Sequence, residues 1–436
     1  MNLRDFRRAG HWPTLLCAFL YFDVSFMVWV LIGALANSIA PDFRLDDFQR
    51  GVLLATPLLS GSLLRLVLGP LADHFGARRT ALLGLTFTLL PLLLGWLWAD
   101  SFEKMLVVGL LLGVAGASFA AALPLASRWY PPQYQGLAMG IAGAGNSGTV
   151  LATLFCPLLV RGLHDWHVVF ALAAVPVLLV LVVFFLLAKD SPEQPPPKRL
   201  ADYAAVLRER DAWWFCLFYS VTFGGFVGFS MFLNTFFAKQ YFPDQPEQGK
   251  VYAGYFATLC VLSGSFLRPV GGYLADRLGG IRMLTVLFVA VGAVMLCMSL
   301  MPPALWVGTT LLFVGMALLG TGNGSVFQLV PQRFSKEIGV ITGVVGAAGG
   351  TGGFFLNMLM GGLKQSTGSY AGGFLIFALV GFGSAAALLY VSRSWQGTFV
   401  GEGGLASTEP TAPGEFTPAL GEPAALAAGW APKPGS

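Results

Sequence analysis

Residues 60–79 read SGSLLRLVLGPLADHFGARR, and residues 263–282 read SGSFLRPVGGYLADRLGGIR. The two stretches are 203 positions apart, and 12 of their 20 positions are identical. Each begins inside an apolar run and ends in a short basic segment, which is typical of a membrane helix that leaves the bilayer. A repeat of this length indicates two structural halves built on the same plan.

The composition is that of a polytopic membrane protein. Of the 436 residues, 56% are hydrophobic and 11% are charged, whereas about 25% are charged in ordinary soluble domains. So few charges cannot form the polar surface of a soluble chain, which excludes a soluble enzyme, a disordered protein and a nucleic-acid binder. The five cysteines lie in apolar runs without metal-ligand spacing, so neither a metal nor another cofactor is expected.

Twelve apolar runs are long enough to cross a bilayer, for which about 20 residues are needed. They are expected at 14–40, 51–73, 79–99, 104–130, 134–160, 167–189, 212–241, 251–276, 282–301, 304–332, 337–363 and 371–393. The predicted fold class is therefore an all-α membrane protein with 12 transmembrane helices in two pseudo-symmetric six-helix halves.

The chain divides at its polar segments. The first half is expected at 1–189 and the second at 212–394, joined by a proline-rich and charged cytoplasmic linker at 190–211. Residues 395–436 are rich in Gly, Ala, Pro and Glu, and a disordered cytoplasmic tail is expected there. With both termini in the cytoplasm, 16 Lys and Arg residues fall on the inner side and 7 on the outer side. The positive-inside rule favours that orientation in the cytoplasmic membrane.

The loop that ends each repeat follows the pattern G-x-L-x-D-x-x-G-x-[RK]-[RK], which is similar to the loop signature of the major facilitator superfamily. The pattern comprises Gly69, Leu71, Asp73, Gly76, Arg78 and Arg79 in the first copy, and Gly272, Leu274, Asp276, Gly279 and Arg282 in the second, where Ile281 replaces one basic residue. The alternative is a generic cytoplasmic turn. We interpret the loops as a conformational latch, in which Asp73 meets a helix N-terminus or a basic side chain in one state and releases it in another.

Arg65 and Arg268 occupy equivalent positions in the two copies, each about two turns inside an apolar helix. A lone arginine at the centre of a membrane helix costs about 2.5–3.5 kcal/mol on insertion scales. The nearest acidic residues, Asp73 and Asp276, are over two turns away. An internal ion pair or the capping of a broken helix is one reading. The other is a binding site for a small anion, because the guanidinium group is planar, permanently charged and forked.

Spans five and eleven are dense in glycine. The glycines of interest are Gly143, Gly145 and Gly148 in span five, and Gly346, Gly349, Gly350 and Gly353 in span eleven. Close helix packing explains such spacing by itself. Asn146 lies among the first group with no loop nearby, so its amide needs a partner, and a ligand oxygen is one candidate.

These residues resemble the nitrate/nitrite porter family of the major facilitators, over roughly residues 14–394. Its span-five signature matches residues 143–148, and its paired arginines match Arg65 and Arg268. Its aromatic positions match Phe119 in span four, and Tyr219 and Phe223 in span seven; without the resemblance, the two phenylalanines would be assigned to the core.

The resemblance implies a monomeric transporter of nitrate and nitrite that works by rocker-switch alternating access in the lipid bilayer. The arginines would clamp nitrate, Asn146 and Tyr219 would hydrogen-bond it, and Phe119 and Phe223 would enclose its plane. An enzyme is not expected.

Asp23 is the acidic residue that lies well inside a span, and such carboxylates are functional candidates. It is either the proton site of a nitrate/proton symporter or a structural partner of a polar residue or an arginine. Independently of Asp23, two buried arginines give the empty cavity two positive charges, which favours movement only when loaded and therefore nitrate/nitrite exchange. Both modes stay open, as do transport of formate, oxalate or phosphate and a non-transporting anion receptor.

Overall fold

The computed structural model describes residues 3–192, 200–245, 247–334 and 338–405, and its long elements are helices. The 12 expected spans are confirmed, numbered here in chain order. They are Trp12–Asp42, Asp47–Phe75, Ala77–Leu97, Phe102–Ser127, Ala138–Leu163, His167–Leu187, Arg210–Tyr241, Gln248–Leu278, Gly280–Ser299, Leu305–Arg333, Ile338–Thr367 and Ala371–Trp395. Their apolar faces toward lipid carry large exposed side chains such as Leu179, Phe185 and Leu186, as a bilayer requires.

Three spans of the first half are interrupted near their centres. Span one divides at Val30 into Trp12–Trp29 and Leu31–Asp42, and span four divides into Phe102–Gly116 and Phe119–Ser127. Span five passes from Pro132–Gly143 through a 3-10 turn, Ala144–Ser147, into Gly148–Leu163. Interrupted backbone is tolerated at membrane depth where protein surrounds it, and these interruptions leave backbone groups free to bind other residues.

The two halves pack together on the side away from the termini, called the far side below. There Asn37 of span one donates through Nδ2 to the carbonyl oxygen of Asn234 in span seven, at 2.8 Å. Gly51 of span two lies so close to span eleven that a Cβ atom would come 3.0 Å from Gly361 Cα. Small residues therefore allow the backbones of the two halves to touch.

The opposite side, where the described chain begins and ends, is called the terminal side and contains glycines with free space around them. A Cβ atom built on Gly140 of span five, or on Gly339 or Gly343 of span eleven, would meet nothing within 4 Å. The far-side contacts and the space at these glycines indicate that the two halves pack more closely on the far side than on the terminal side.

The polar segments differ in part from the sequence expectation. Within the expected linker, residues 193–199 lie outside the described part, Leu200–Arg208 is a helix, and span seven begins at Arg210. In the tail expected to be disordered from 395, residues 396–405 instead fold into a turn and a short 3-10 helix, Glu402–Gly404, against the second repeat loop. The rest of the tail, 406–436, lies outside the described residues.

Close packing of span five on span one makes Gly148 sensitive to any side chain. A Cβ atom there would collide with the backbone carbonyl of Asp23, whereas Gly140 in the same span has open space. We expect Gly148→Ala to destabilise the protein by about 1–3 kcal/mol through overpacking, and Gly140→Ala to be neutral or slightly stabilising. Thermal unfolding of both purified variants measures this. Equal melting temperatures would contradict the packing described here.

Candidate functional site

Arg65 lies at the centre of the molecule and is 1% exposed. Its Nε donates to the carbonyl oxygen of Gly116 at 3.1 Å, and its Nη1 donates to the carbonyl oxygen of Gly346 at 2.6 Å. Gly116 ends the first helix of span four, so the interruption in that span supplies a carbonyl that no helical N–H uses. The guanidinium carbon also lies 5.4 Å from the ring centroid of Phe119 and 5.0 Å from that of Phe223, which are cation–π distances.

Arg268 approaches the same ring from the second half. Its guanidinium carbon is 5.5 Å from the centroid of Phe119, and its Nη2 is 3.4 Å from the hydroxyl oxygen of Tyr219. The rings of Tyr219 and Phe223 stack at 5.0 Å with an interplanar angle of 3°. The structure thus brings together five of the six residues predicted to bind substrate, one turn of span seven supplying two of them.

Both arginines keep a guanidinium nitrogen without a partner. Arg65 Nη2 and Arg268 Nη1 are buried and form no hydrogen bond within the described residues. Neither arginine has a carboxylate within 4 Å in that part of the chain, so the internal ion pair considered from the sequence is not formed there. A buried charge with unused donors is costly, and an anion between the two groups would lower that cost.

Asn146, the sixth predicted residue, is fully buried in the 3-10 turn of span five. With its amide nitrogen turned toward acceptors, it donates to the carbonyl oxygens of Gly143 at 3.1 Å and Ala144 at 3.3 Å. In this conformation Asn146 therefore satisfies the interrupted backbone of its own span. Gly143 faces Arg268, whose guanidinium carbon would lie 4.0 Å from a Cβ atom there.

The other signature glycines divide into two groups. Gly346 and Gly349 border the site, since a Cβ atom would come 3.5 Å from Arg65 Nη1 at the first and 2.6 Å from the Tyr219 ring at the second. The remaining four permit helix contact: Gly145 and Gly148 face span one, Gly350 faces Ser62 of span two, and Gly353 faces spans two and seven. Both readings of the glycines, close packing and a role at the site, therefore apply to different members.

Asp23 has a polar partner close to this region. The hydroxyl of Ser147 in span five donates to Asp23 Oδ1 at 2.7 Å. Asp23 is half-buried, and the bond links span one to the 3-10 turn that contains Asn146. Its position allows either a structural tie or a proton-carrying group next to a helix that must move.

Sequence reasoning did not single out Trp29 and Phe327, which complete the aromatic enclosure. Trp29 of span one lies 5.3 Å from the Arg65 guanidinium and donates through Nε1 to the carbonyl oxygen of Pro57 at 2.7 Å. Phe327 of span ten lies 5.0 Å from Tyr219, edge to face. Trp29 stands in an apolar run, where no local signal separates it from core residues, whereas Phe327 follows the polar stretch 321–325.

The first copy of the predicted latch is held by two carboxylates. Asp73 accepts from Arg128 at the end of span four, at 2.6 Å, and Asp190 after span six accepts from the backbone N–H of Arg78 at 2.9 Å. Gly76 has a φ of 87°, a conformation that favours glycine. Of the other two members, Gly69 lies near the end of span two and Arg79 lies at the start of span three.

In the second copy, Arg282 pairs with Glu402 of the folded tail segment, and Gly279 has a φ of 90° beside Gly403. Asp276, near Gly272 at the end of span eight, is exposed and forms no ion pair with another described residue. The ion pair predicted for Asp73 is therefore present in the first copy. Its counterpart, Asp276, has no such pair among the described residues.

The comparisons with known proteins agree with this architecture. The family model of the Major Facilitator Superfamily matches residues 17–357. Among solved structures, the human organic anion transporter MFSD10 (TETRAN) superposes with a TM-score of 0.67 at 16% identity, over 86% of this chain and 99% of that one. A bacterial homolog of the human lysosomal transporter Spinster, in an inward-facing and occupied conformation, gives 0.63 at 18% identity, over 87% and 96%. At these identities the likeness concerns the fold.

Sequence relatives share more identity with this chain. The Nitrite extrusion protein of Bacillus subtilis is 33% identical over 85% of this chain and 91% of its own length. The Probable nitrate/nitrite transporter NarK2 of Mycobacterium tuberculosis is 36% identical, over 78% and 85%, and the Probable nitrate/nitrite antiporter NarK1 of Thermus thermophilus is 31% identical, over 80% and 84%. The chain belongs to the major facilitator superfamily, and its resemblance to the nitrate/nitrite porters within that superfamily is confirmed. It is a multi-pass membrane transporter and not an enzyme.

The difference between the two latch copies can be measured as stability. Asp73→Asn leaves the largely buried Arg128 without its carboxylate, and we expect a loss of about 1.5–3 kcal/mol, as for other hydrogen bonds to charged groups. Asp276→Asn is the matched control, expected to change stability by less than about 0.5 kcal/mol because that carboxylate is exposed. Melting temperatures of the two purified variants test this, and equal shifts would show that the Asp73–Arg128 pair does not stabilise the first loop.

Proposed function

We propose that this protein transports nitrate and nitrite across the cytoplasmic membrane, with the anion bound between Arg65 and Arg268. The observation that carries the proposal is the pair of unpartnered guanidinium nitrogens, one from each half, beside the ring of Phe119. The names of the relatives, which specify nitrate or nitrite, support this choice of substrate.

The shape of the site favours a small planar anion. Phe119, Tyr219 and Phe223 present ring faces and edges within about 5–6 Å of the two guanidinium groups. A flat oxyanion fits between aromatic rings and a planar fork of N–H donors, whereas tetrahedral phosphate fits such a slot less well. Formate and oxalate are the alternative substrates, and competition with labelled nitrate would rank them.

Alternating access follows from the charge of the site. Two guanidinium groups carry two positive charges and a bound nitrate carries one negative charge, so the loaded site holds less uncompensated charge than the empty one. Closing the terminal side over an empty site would enclose both charges without a counter-ion, which is costly. The rocker-switch movement is therefore favoured when the anion is bound, and the site is exposed first to one side and then to the other.

The orientation and the latch belong to the same proposal. The terminal side is assigned to the cytoplasm, because 16 Lys and Arg residues lie there against 7 on the far side. The conformation described above is then inward-facing. In the outward-facing state, the loop residues around Asp73 would release Arg128 or exchange it for another partner as spans two and four shift. A monomer contains both halves and hence the complete site.

Replacement of either arginine by lysine tests the site. Lysine keeps the charge but lacks the planar fork, so it cannot keep the carbonyl contacts of Arg65 and still bind the anion through two parallel bonds. We expect Arg65→Lys and Arg268→Lys each to lower nitrate uptake into proteoliposomes at least about tenfold, equivalent to 1.4 kcal/mol. Arg161→Lys, at an exposed arginine of span five, should transport normally. Normal uptake by both site variants would move the substrate elsewhere.

Asp23 decides between the two coupling modes. In a nitrate/proton symporter, Asp23→Asn should abolish uptake driven by a pH gradient and spare exchange against internal nitrite, because the amide still accepts from Ser147 but cannot carry a proton. In an exchanger, wild-type uptake should require internal nitrite, and Asp23→Asn should leave its rate within about twofold. Proteoliposomes with either internal nitrite or an imposed pH gradient separate these outcomes. Specific nitrate binding without uptake under either condition would favour the receptor alternative.

A further inference from the structure

A small cavity of about 10 Å³ lies between the two halves on the far side, remote from the central arginines. Arg50 and Leu54 of span two line it on one side, and Thr235 of span seven and Asn357 of span eleven line it on the other. Arg50 precedes Arg65 by 15 positions on one helix, which corresponds to about 22 Å along the axis. The cavity is therefore separate from the site between Arg65 and Arg268.

Three buried polar atoms around this cavity have no hydrogen-bond partner within the described residues. They are Arg50 Nε, Thr235 Oγ1 and Asn357 Oδ1. Thr235 and Asn357 are each 1% exposed, and the Asn357 amide is held in place because its Nδ2 donates to the carbonyl oxygens of Gly228 and Gly353. Unused buried groups of this kind are costly unless a water or another ligand satisfies them. The volume suits one water molecule in this closed conformation.

The charges around the cavity leave a positive surplus. Asp47 of span two pairs with Lys239 of span seven, and this ion pair joins the two halves. Asp47 and Arg50 both act electrostatically on Tyr370, whose side chain also lines the cavity. Asp47 lines the cavity, and Arg50, Lys239 and Lys364, which lies 5.0 Å from the Tyr370 ring, outnumber it, so the region carries a positive surplus that suits an anion. Arg50 and Lys239 both lie within the ends of their spans.

Opening of the far side must break the Asp47–Lys239 pair, because its partners belong to different halves. Lys239 and Arg50 would then line a widened mouth that contains the hydroxyl of Thr235, a further donor. Asn357 Oδ1 can only accept, so it suits a water that hydrates the anion. The groups around a single trapped water in the closed state would thus surround a partly hydrated anion in the open state.

We propose that Arg50, Lys239 and Thr235 form a second anion subsite at the far-side mouth, which takes a small monovalent oxyanion before it reaches Arg65 and Arg268. The proposal rests on the proposed function for the identity of the anion, and its site is distinct from the central one.

Protection of an introduced cysteine tests the subsite directly. Leu54 lines the cavity and is 2% exposed, so the thiol of a Leu54→Cys variant should react with a cationic methanethiosulfonate reagent only when the far side opens. The protein is purified in detergent with its five native cysteines replaced by alanine. If that background does not fold, replacement of Cys297 suffices, because the other four are buried. Nitrate is the probe, and gluconate at equal ionic strength is the reference anion.

The central site is removed by Arg65→Gln with Arg268→Gln, or by the paired lysine variant if the glutamine variant does not fold. In that background we expect nitrate to slow modification of the introduced thiol at least threefold relative to gluconate. Arg50→Gln should abolish this protection, and Thr235→Val should weaken it. Lys104→Gln, which removes a positive charge from the far-side end of span four, should leave it unchanged.

Two results would overturn the subsite. The first combines two observations: nitrate no longer protects the thiol when Arg65 and Arg268 are replaced, and it still protects the thiol in an Arg50→Gln variant that keeps Arg65 and Arg268. Nitrate would then act only through the central site. The other is an introduced thiol that stays unreactive even after Asp47→Asn removes the ion pair, since the mouth would then not open at the cavity. Failure of the proposed function has a different signature, namely normal nitrate uptake by Arg65→Lys and Arg268→Lys.

Discussion

Two arginine side chains at the centre of a membrane protein, Arg65 buried and Arg268 half-buried, constrain the rest of this fold. Each must be held by carbonyl or hydroxyl oxygens because no carboxylate lies within 4 Å in the described part of the chain. Supplying those oxygens requires a break in span four, which frees the Gly116 carbonyl, and a close approach of span eleven, which glycine allows. The break in span four and the glycine at position 346 thus both serve the same electrostatic demand.

Aromatic rings also stabilise the buried charge of Arg65. Trp29, Phe119 and Phe223 all lie within 5.4 Å of the Arg65 guanidinium carbon, so the charge faces the negative side of several rings. Rings exclude water without neutralising the cation. A weakly hydrated anion would gain most from binding to a positive charge surrounded by rings in this way.

Much of the architecture was accessible from the sequence, because bilayer thickness and charge placement leave strong signals. The 12 spans follow from apolar run length, and the two halves follow from the repeat. Five of the six residues proposed to bind the anion, among them Arg65 and Arg268, lie together at the centre.

The features that the sequence did not predict have physical causes. Asn146 binds its own backbone, since the 3-10 turn that surrounds it leaves free carbonyls. Trp29 lies in an apolar run and is indistinguishable from core residues without coordinates. The folded segment 396–405 lacks periodicity because its contacts are made by glycine backbone and one charged pair.

That folded segment has a counterpart in the first half. The chain just after span six places Asp190 against Gly76 and Arg78, and the chain just after span twelve places residues 402–404 against Gly279 and Arg282. The unit that occurs twice in this structure therefore comprises six helices together with a strap that returns to the loop between its second and third helices. A boundary drawn at the last helix, as in a truncated protein or a fusion joined directly after Trp395, would cut one strap and leave the other intact.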